Sequence, residues 1–365
     1  MTSFTDLTTI RVGGDAAETR EPASEAELVD TVLDVWASSE PWLVLGGGSN
    51  LVVGDDGFEG TVIRVRTRGV EERPADSADQ VVLRVQAGES WDELVAHTVS
   101  RGLAGLEALS GIPGSCGAAP IQNIGAYGQE VADSLVSIDF LDYLTGEVEH
   151  IPGEELQLGY RTSAIKQGKH GVVVALELRL TRTELSAPIA FPQLANALGV
   201  VVGERMPIAE VRDAVLALRS SKGMVLNPGD PDTVSCGSFF TNPIVSTDFA
   251  SGLPSDAPHW VIRDTPPPAV IPLAAYDGQV PQPVRSESRV KLSAAWLIEH
   301  AGIVRGFSLP GSRAAISTKH TLAITNRGGA TAEQVAELAR FVQSRVLNQF
   351  GVLLQPEPVL VGVQL

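Results

Sequence analysis

Apolar residues recur at helical spacing in four stretches of the chain. Ser24 and Glu27 make a capping-box pair ahead of Leu28, Val29, Val32, Leu33 and Trp36. Ser90 with Glu93 opens a second helix carrying Leu94 and Val95. Pro207 starts a third, with Val211, Val215, Leu216 and Leu218 on one face. Thr331 with Gln334 caps a fourth, longer one carrying Val335, Leu338, Phe341, Val342 and Val346. Between them, residues 61–65, 81–87, 135–141, 172–180 and 322–325 are β-branched or alternate apolar with polar, which predicts strands. Helices are too few and too far apart for a doubly wound sheet, so the pattern predicts an α+β protein of more than one layer. Residues 246–288, with Pro266-Pro267-Pro268 inside them, break the periodicity and predict an extended, irregular excursion.

Composition narrows the class. A chain of 365 residues has room for two or three domains, and 44% hydrophobic with 19% charged residues is ordinary for a folded protein. Lys plus Arg number 27 against 44 Asp plus Glu, a net charge of −17, so the chain offers no broad basic footprint for nucleic acid or an anionic membrane. An anionic ligand must then be held by a few local cations or backbone N–H groups. No apolar run approaches the roughly 18 residues of a membrane-spanning helix. Met1-Thr2-Ser3-Phe4-Thr5-Asp6 has neither the basic start nor the apolar stretch of a signal peptide. Two cysteines, Cys116 and Cys236, are too few for a disulfide scaffold or a zinc cluster, and the six histidines are scattered. The expectation is a cytoplasmic protein with free thiols and no metal.

Two segments are rich in glycine. The apolar strand Trp42-Leu43-Val44-Leu45 runs into Gly46-Gly47-Gly48-Ser49-Asn50 and then Leu51. This is neither a Walker loop, because no Lys-Ser/Thr follows, nor G-x-G-x-x-G, because Leu51 stands where the third glycine belongs. Alone it reads as a tight turn before it reads as a ligand loop. The second segment, from Gly111 through Gly114-Ser115-Cys116-Gly117 and Pro120-Ile121-Gln122-Asn123-Ile124-Gly125 to Tyr127-Gly128, is free of charge and poor in large side chains. Such a stretch suits wrapping a flat polar ligand with backbone donors and carbonyls, or packing as a buried loop.

Three further places carry chemistry. Glu357, in Pro356-Glu357-Pro358, is the single charged residue between Val346 and the end of the chain, and desolvation there favours its protonated form. The alternative is a solvated turn residue. Ser238, in Gly237-Ser238-Phe239-Phe240-Thr241-Asn242-Pro243, lacks a G-x-S-x-G elbow, which disfavours a hydrolase. Arg161, in Gly159-Tyr160-Arg161, is of the type that reads carboxylates bidentately, and Lys222 and Arg219 are cations in an acidic chain.

As a set, and in this order from about Leu7 to Val363, these motifs resemble the UDP-N-acetylenolpyruvoylglucosamine reductase (MurB) family. The resemblance implies an α+β fold. Its two-part FAD-binding region is of the vanillyl-alcohol-oxidase/p-cresol-methylhydroxylase type (residues 1–68 with 352–365, and 69–219), followed by a substrate-binding domain at 220–351. It implies FAD held by Gly46, Gly47, Gly48, Ser49, Asn50, Leu51, Ser115, Cys116, Gly117, Pro120, Gln122, Asn123, Ile124 and Gly125. It implies hydride passing from NADPH through FAD to the β-carbon of the enolpyruvyl group of UDP-N-acetylglucosamine enolpyruvate. In that scheme Arg161 holds the substrate carboxylate, Glu357 stabilises the enolate-like species and Ser238 protonates the α-carbon. Lys222 meets a phosphate, Asn242 the uracil or diphosphate, and Tyr127, Tyr160 and Phe191 line the substrate side. Phe191 stands where some members carry a tyrosine that closes over the nucleotide. A monomer acting on small molecules is expected. The competing readings are a related FAD oxidase with covalently tethered flavin, and a nucleotide-binding protein without catalysis.

Overall fold

The computed structural model describes residues 2–262 and 289–365. The N-terminal part builds a four-stranded sheet in the order Thr2–Ser3, Asp15–Arg20, Phe58–Arg64, Trp42–Leu45. The last three are mutually parallel. The helix Glu25–Ala37 buries Leu28, Val32 and Val35. Its Ser24 hydroxyl accepts from Glu27 N, while the Glu27 carboxylate reaches Ala23 N, one residue before the cap position.

The middle of the chain forms a six-stranded antiparallel sheet. Val148–Pro152, Leu135–Asp142, Gly171–Arg182, Gln80–Gln86 and Val70–Pro74 lie side by side, and Leu103–Ala104 joins Gly171–Arg182. Valine and leucine alternate along Gln80–Gln86, so one face enters the core with the helix Trp91–Ser100. Ser90 makes no side-chain cap to that helix, contrary to the pattern read from Ser90 and Glu93. The helices Pro192–Leu198 and Ile208–Ser221 pack on each other through Leu194, Ala195, Val211 and Val215.

The C-terminal part has two three-stranded sheets. One is Ser235–Ser238, Ala323–Asn326, Ala314–Ile316, and the other is Ile244–Ser246, Arg289–Leu292, His259–Ile262. The helices Ala294–His300 and Ala332–Phe350 close over them around Leu297, Ile298, Val335, Leu338 and Val342. The final strand, Val359–Val361, returns to pair in parallel with Leu51–Val53. The proline-rich stretch is less irregular at its start than its composition suggests, since Thr247–Ser251 is helical and His259–Ile262 is a strand. The rest of it, 263–288, lies outside the described residues. Among the described residues no helix is long and apolar enough to cross a membrane.

Candidate active site

The two glycine-rich segments meet face to face. A Cβ on Gly46 would stand 2.1 Å from Ser115 Oγ, and one on Gly47 would stand 2.7 Å from the Cα of Gly114. Glycine is therefore required for the approach itself. Ser49 Oγ donates to the Pro113 carbonyl at 2.8 Å. Asn50 Nδ2 donates to Gln122 Oε1 at 3.1 Å and to the Glu357 carbonyl at 3.3 Å, tying both segments to the C-terminal strand. They wall a cavity of about 550 Å³, within the roughly 300–1,000 Å³ of ligand pockets. Gly48 has φ +61°, so the turn reading of this loop holds together with its place in the cavity wall.

Ser238, Arg161 and Glu357 line the same cavity. Ser238 ends the strand Ser235–Ser238, and Pro356 bridges to Phe240 while Glu357 N donates to the Phe239 carbonyl at 2.9 Å. That pairing sets Glu357 beside the serine strand across a long sequence separation. Arg161, with φ +54°, is pinned on three sides. Its Nε lies 3.0 Å from Glu357 Oε1, and Nη1 and Nη2 donate to the carbonyls of Asn123 and Gly125 at 3.2 and 2.7 Å. Burial pushes the Glu357 carboxyl above its ordinary range, while Arg161 and Lys166 pull it back. Glu357 is the one carboxylate among the described lining residues, against Arg161, Lys166, Arg219 and Lys222. The cavity is thus a local basic site in a chain of net charge −17.

Several lining groups carry no motif of their own. His320 Nε2 is 3.4 Å from Ser238 Oγ. Burial, with Lys222, Arg305 and Arg219 around it, pulls its pKa down to about 4, so the imidazole is neutral near pH 7. Arg219 Nε is buried without a hydrogen-bond partner. Lys222 Nζ donates to Gln193 Oε1 at 2.9 Å and lies 5.8 Å from the centre of the Tyr127 ring, which meets Phe191 edge-on at 5.7 Å. Lys166 Nζ donates to Gln122 at 3.3 Å.

Not every residue expected from the sequence lines this cavity. The two loop segments contribute Gly46 to Leu51, Ser115, Gln122, Ile124 and Gly125. Cys116 is fully buried in the central core, and a Cβ on Gly117 would stand 2.5 Å from that of Ala87. Pro120 is buried at the first position of a 3-10 turn, and Asn123, with φ +45°, braces the loop by donating to Glu130 Oε2 and the Gly159 carbonyl. These four support the loop from behind. Tyr160 and Asn242 are not among the lining residues; Tyr160 OH accepts from Asn242 N at 3.3 Å, and Asn242 Oδ1 accepts from Ala294 N at 2.9 Å. A second cleft of about 880 Å³ lies beyond Tyr127 and contains none of the three predicted catalytic groups. No group of His, Cys, Asp and Glu among the described residues could hold a metal ion.

Fold and loops together define an FAD-binding oxidoreductase, and a family model described as an FAD binding domain matches residues 16–152. The loops fit that cofactor: bare glycine backbone for a diphosphate, apolar walls at Trp91, Ile121 and Ile124, and cations nearby. A second family model, the C-terminal domain of UDP-N-acetylenolpyruvoylglucosamine reductase, matches residues 230–361. The chain is 58% identical to the UDP-N-acetylenolpyruvoylglucosamine reductase of Leifsonia xyli subsp. xyli, over 98% of each chain. It is 48% identical to that of Thermobifida fusca, over 99% of this chain and 97% of the relative. The crystal structure of the Thermus caldophilus enzyme (MurB) superposes with a TM-score of 0.62 at 26% identity, covering 99% of this chain and 97% of that one. The chain belongs to the UDP-N-acetylenolpyruvoylglucosamine reductase family.

Proposed function

We propose that the chain reduces the enolpyruvyl group of UDP-N-acetylglucosamine enolpyruvate to give UDP-N-acetylmuramate, a step of peptidoglycan precursor synthesis, with NADPH as reductant. The observation that carries this reading is the meeting of Ser238, Arg161 and Glu357 in one cavity walled by both glycine loops. FAD, when bound, supplies the hydride chemistry. Gly46 to Asn50 and Ser115 would hold its diphosphate through backbone N–H groups.

The side chains then divide the work. Each terminal nitrogen of Arg161 gives one N–H to a backbone carbonyl and keeps another for the substrate carboxylate. Glu357 fixes the guanidinium and meets the developing enolate through its own proton. Ser238 Oγ holds the proton destined for the α-carbon. In the Nε2–H tautomer, the neutral His320 donates a hydrogen bond to Ser238 Oγ, leaving the serine proton free to move and stabilising the alkoxide left behind, which regains its proton from solvent. Lys222 and Arg219 supply charge for a phosphate. Phe191 adds stacking surface on Tyr127 but no hydroxyl. Tyr160 and Asn242 act from one layer further out, supporting Arg161 and the helix at Ala294.

The domain division at residues 68, 219 and 351 is supported by the three sheet regions and by the return of Val359–Val361 to Leu51–Val53. Because one chain supplies every group, a monomer suffices. Free buried thiols at Cys116 and Cys236 support a cytoplasmic location. The tethered-flavin oxidase loses support because Cys116 is shut in the core, where burial pushes its thiol far above the ordinary range.

Stopped-flow absorbance of the holoenzyme tests the proposal. NADPH bleaches the flavin, and the enolpyruvyl substrate restores its colour. Ser238→Ala leaves the bleaching intact and slows the recovery by about 10²–10⁴. Equal loss in both halves removes Ser238 as the proton donor, and no bleaching at all leaves a nucleotide-binding protein without catalysis.

A further inference from the structure

The carboxylate of Asp232 is buried yet points at no ligand cavity. Its Oδ1 accepts from Ser317 Oγ at 2.8 Å, Thr318 N at 2.9 Å and Arg327 Nη2 at 3.0 Å, and its Oδ2 accepts from Thr318 Oγ1 at 2.6 Å. Those four contacts match the acceptor capacity of an ionised carboxylate. Burial alone would raise its pKa. The hydrogen bonds from Thr318 and Ser317, with the charge of Arg327, outweigh burial and hold it below the usual carboxylate range.

What Asp232 grips is the turn that ends at His320. Ser317 Oγ, oriented by donating to Asp232, accepts from Lys319 N at 3.0 Å and from His320 N at 3.2 Å. Lys319 Nζ pairs with Asp230 at 2.5 Å, on the same short segment. Gly223 packs closely against the Asp232 backbone, where a Cβ would stand 3.0 Å from the Asp232 carbonyl oxygen. Six residues after Asp232 the chain reaches Ser238. One acid therefore fixes the turn that brings the histidine from a point six residues before the serine.

We propose that Asp232 is a positioning residue that sets the contact between Ser238 and His320, through Ser317 and Thr318. It rests on the reading of Ser238 as proton donor. A merely structural acid would lower both half-reactions together, whereas a positioning acid acts only where Ser238 acts.

The test is a double-mutant cycle on the holoenzyme, read by stopped-flow with saturating NADPH and then enolpyruvyl substrate. Asp232→Ala slows flavin reoxidation by roughly 10²-fold, leaves flavin reduction within about threefold, and adds less than about threefold in a Ser238→Ala background. Asp232→Asn, which keeps one acceptor oxygen for Ser317 and Thr318, recovers most of the rate. Equal slowing of both halves, or the full loss persisting in Ser238→Ala, overturns the proposal. If Asp232→Ala does not fold, Thr318→Ala enters the same cycle with a smaller expected loss. A crystal structure of the variant gives a second readout. The Ser238 Oγ to His320 Nε2 separation widens from 3.4 Å in Asp232→Ala and is restored in Asp232→Asn; an unchanged separation overturns the proposal even if the reductase reading stands. Failure of the wild-type flavin to reoxidise with the enolpyruvyl substrate would sink that reading separately, while the separation would still judge Asp232.

Discussion

Glu357 sits between opposing influences: burial favours its proton, and Arg161 with Lys166 favours its loss. Replacement by glutamine keeps the shape and a hydrogen-bonding head beside Arg161, whereas alanine leaves the guanidinium without its partner. Glu357→Gln should therefore keep a kcat about tenfold or more above that of Glu357→Ala, measured as steady-state NADPH oxidation; the reverse order would mean that an ionised carboxylate is needed. His320 carries a pH prediction. The unfolded chain takes up a proton near pH 6.5 and the folded chain only near 4, so stability is full above 6.5 and falls as pH drops through that window. His320→Gln should flatten that fall by up to about 3 kcal/mol, read from urea melts between pH 7 and 4.5. Arg161, Ser238 and Glu357 were legible in sequence because each stands in a short motif with few charges near it. His320 and Lys166 were not, since only folding removes them from water and gives them a partner or a cavity; Arg219 was legible as a cation, but its burial was not.

At the scale of elements, the helix Ala332–Phe350 shows how far a cap can come from. Thr331 Oγ1 accepts from Gln334 N as its local pattern predicts. The two free N–H groups of Ala332 and Glu333 go to the carboxylate of Asp55, 2.8 and 3.0 Å away, in the segment just after the first glycine loop. A carboxylate there also answers the helix dipole. Asp55→Ala should cost about 1–2 kcal/mol and lower the melting temperature of the holoenzyme by a few degrees in calorimetry; an unchanged melting temperature would show the contact to be idle. The sequence displayed Glu25–Ala37, Ile208–Ser221 and Ala332–Phe350 because four or five apolar positions recur in each. It hid Pro192–Leu198 and Ala294–His300, which span seven residues each, too few for a period to emerge. The Ser90 cap failed because side-chain capping is settled by geometry that a residue pair at the right spacing does not guarantee.

For the whole molecule, the net charge of −17 argues against nucleic acid or an anionic membrane and leaves any anionic ligand to local cations, and the cavity gathers four cations around one carboxylate. Global charge governs the outer surface and says little about a site a few ångströms across. The return of the last strand was foreseen only through family likeness. Pairing between Val359–Val361 and Leu51–Val53 leaves no trace in local periodicity. Truncation that removes residues 355–365 should leave the long helices intact by circular dichroism but strip most of the flavin, measured as the ratio of visible to ultraviolet absorbance. Full flavin retention would show that the loop of Gly46 to Asn50 keeps its shape without the tie from Asn50 to Glu357.

That same closing strand sets an order of events during synthesis. The ribosome releases the edge at Leu51–Val53 about 300 residues before its partner, so the nascent chain must carry an open, apolar strand edge while all of that length is made. The acid that completes the cavity arrives with the same final residues. The cavity can therefore close only after both strands have left the ribosome, and until then the first glycine loop lacks the strand that backs it.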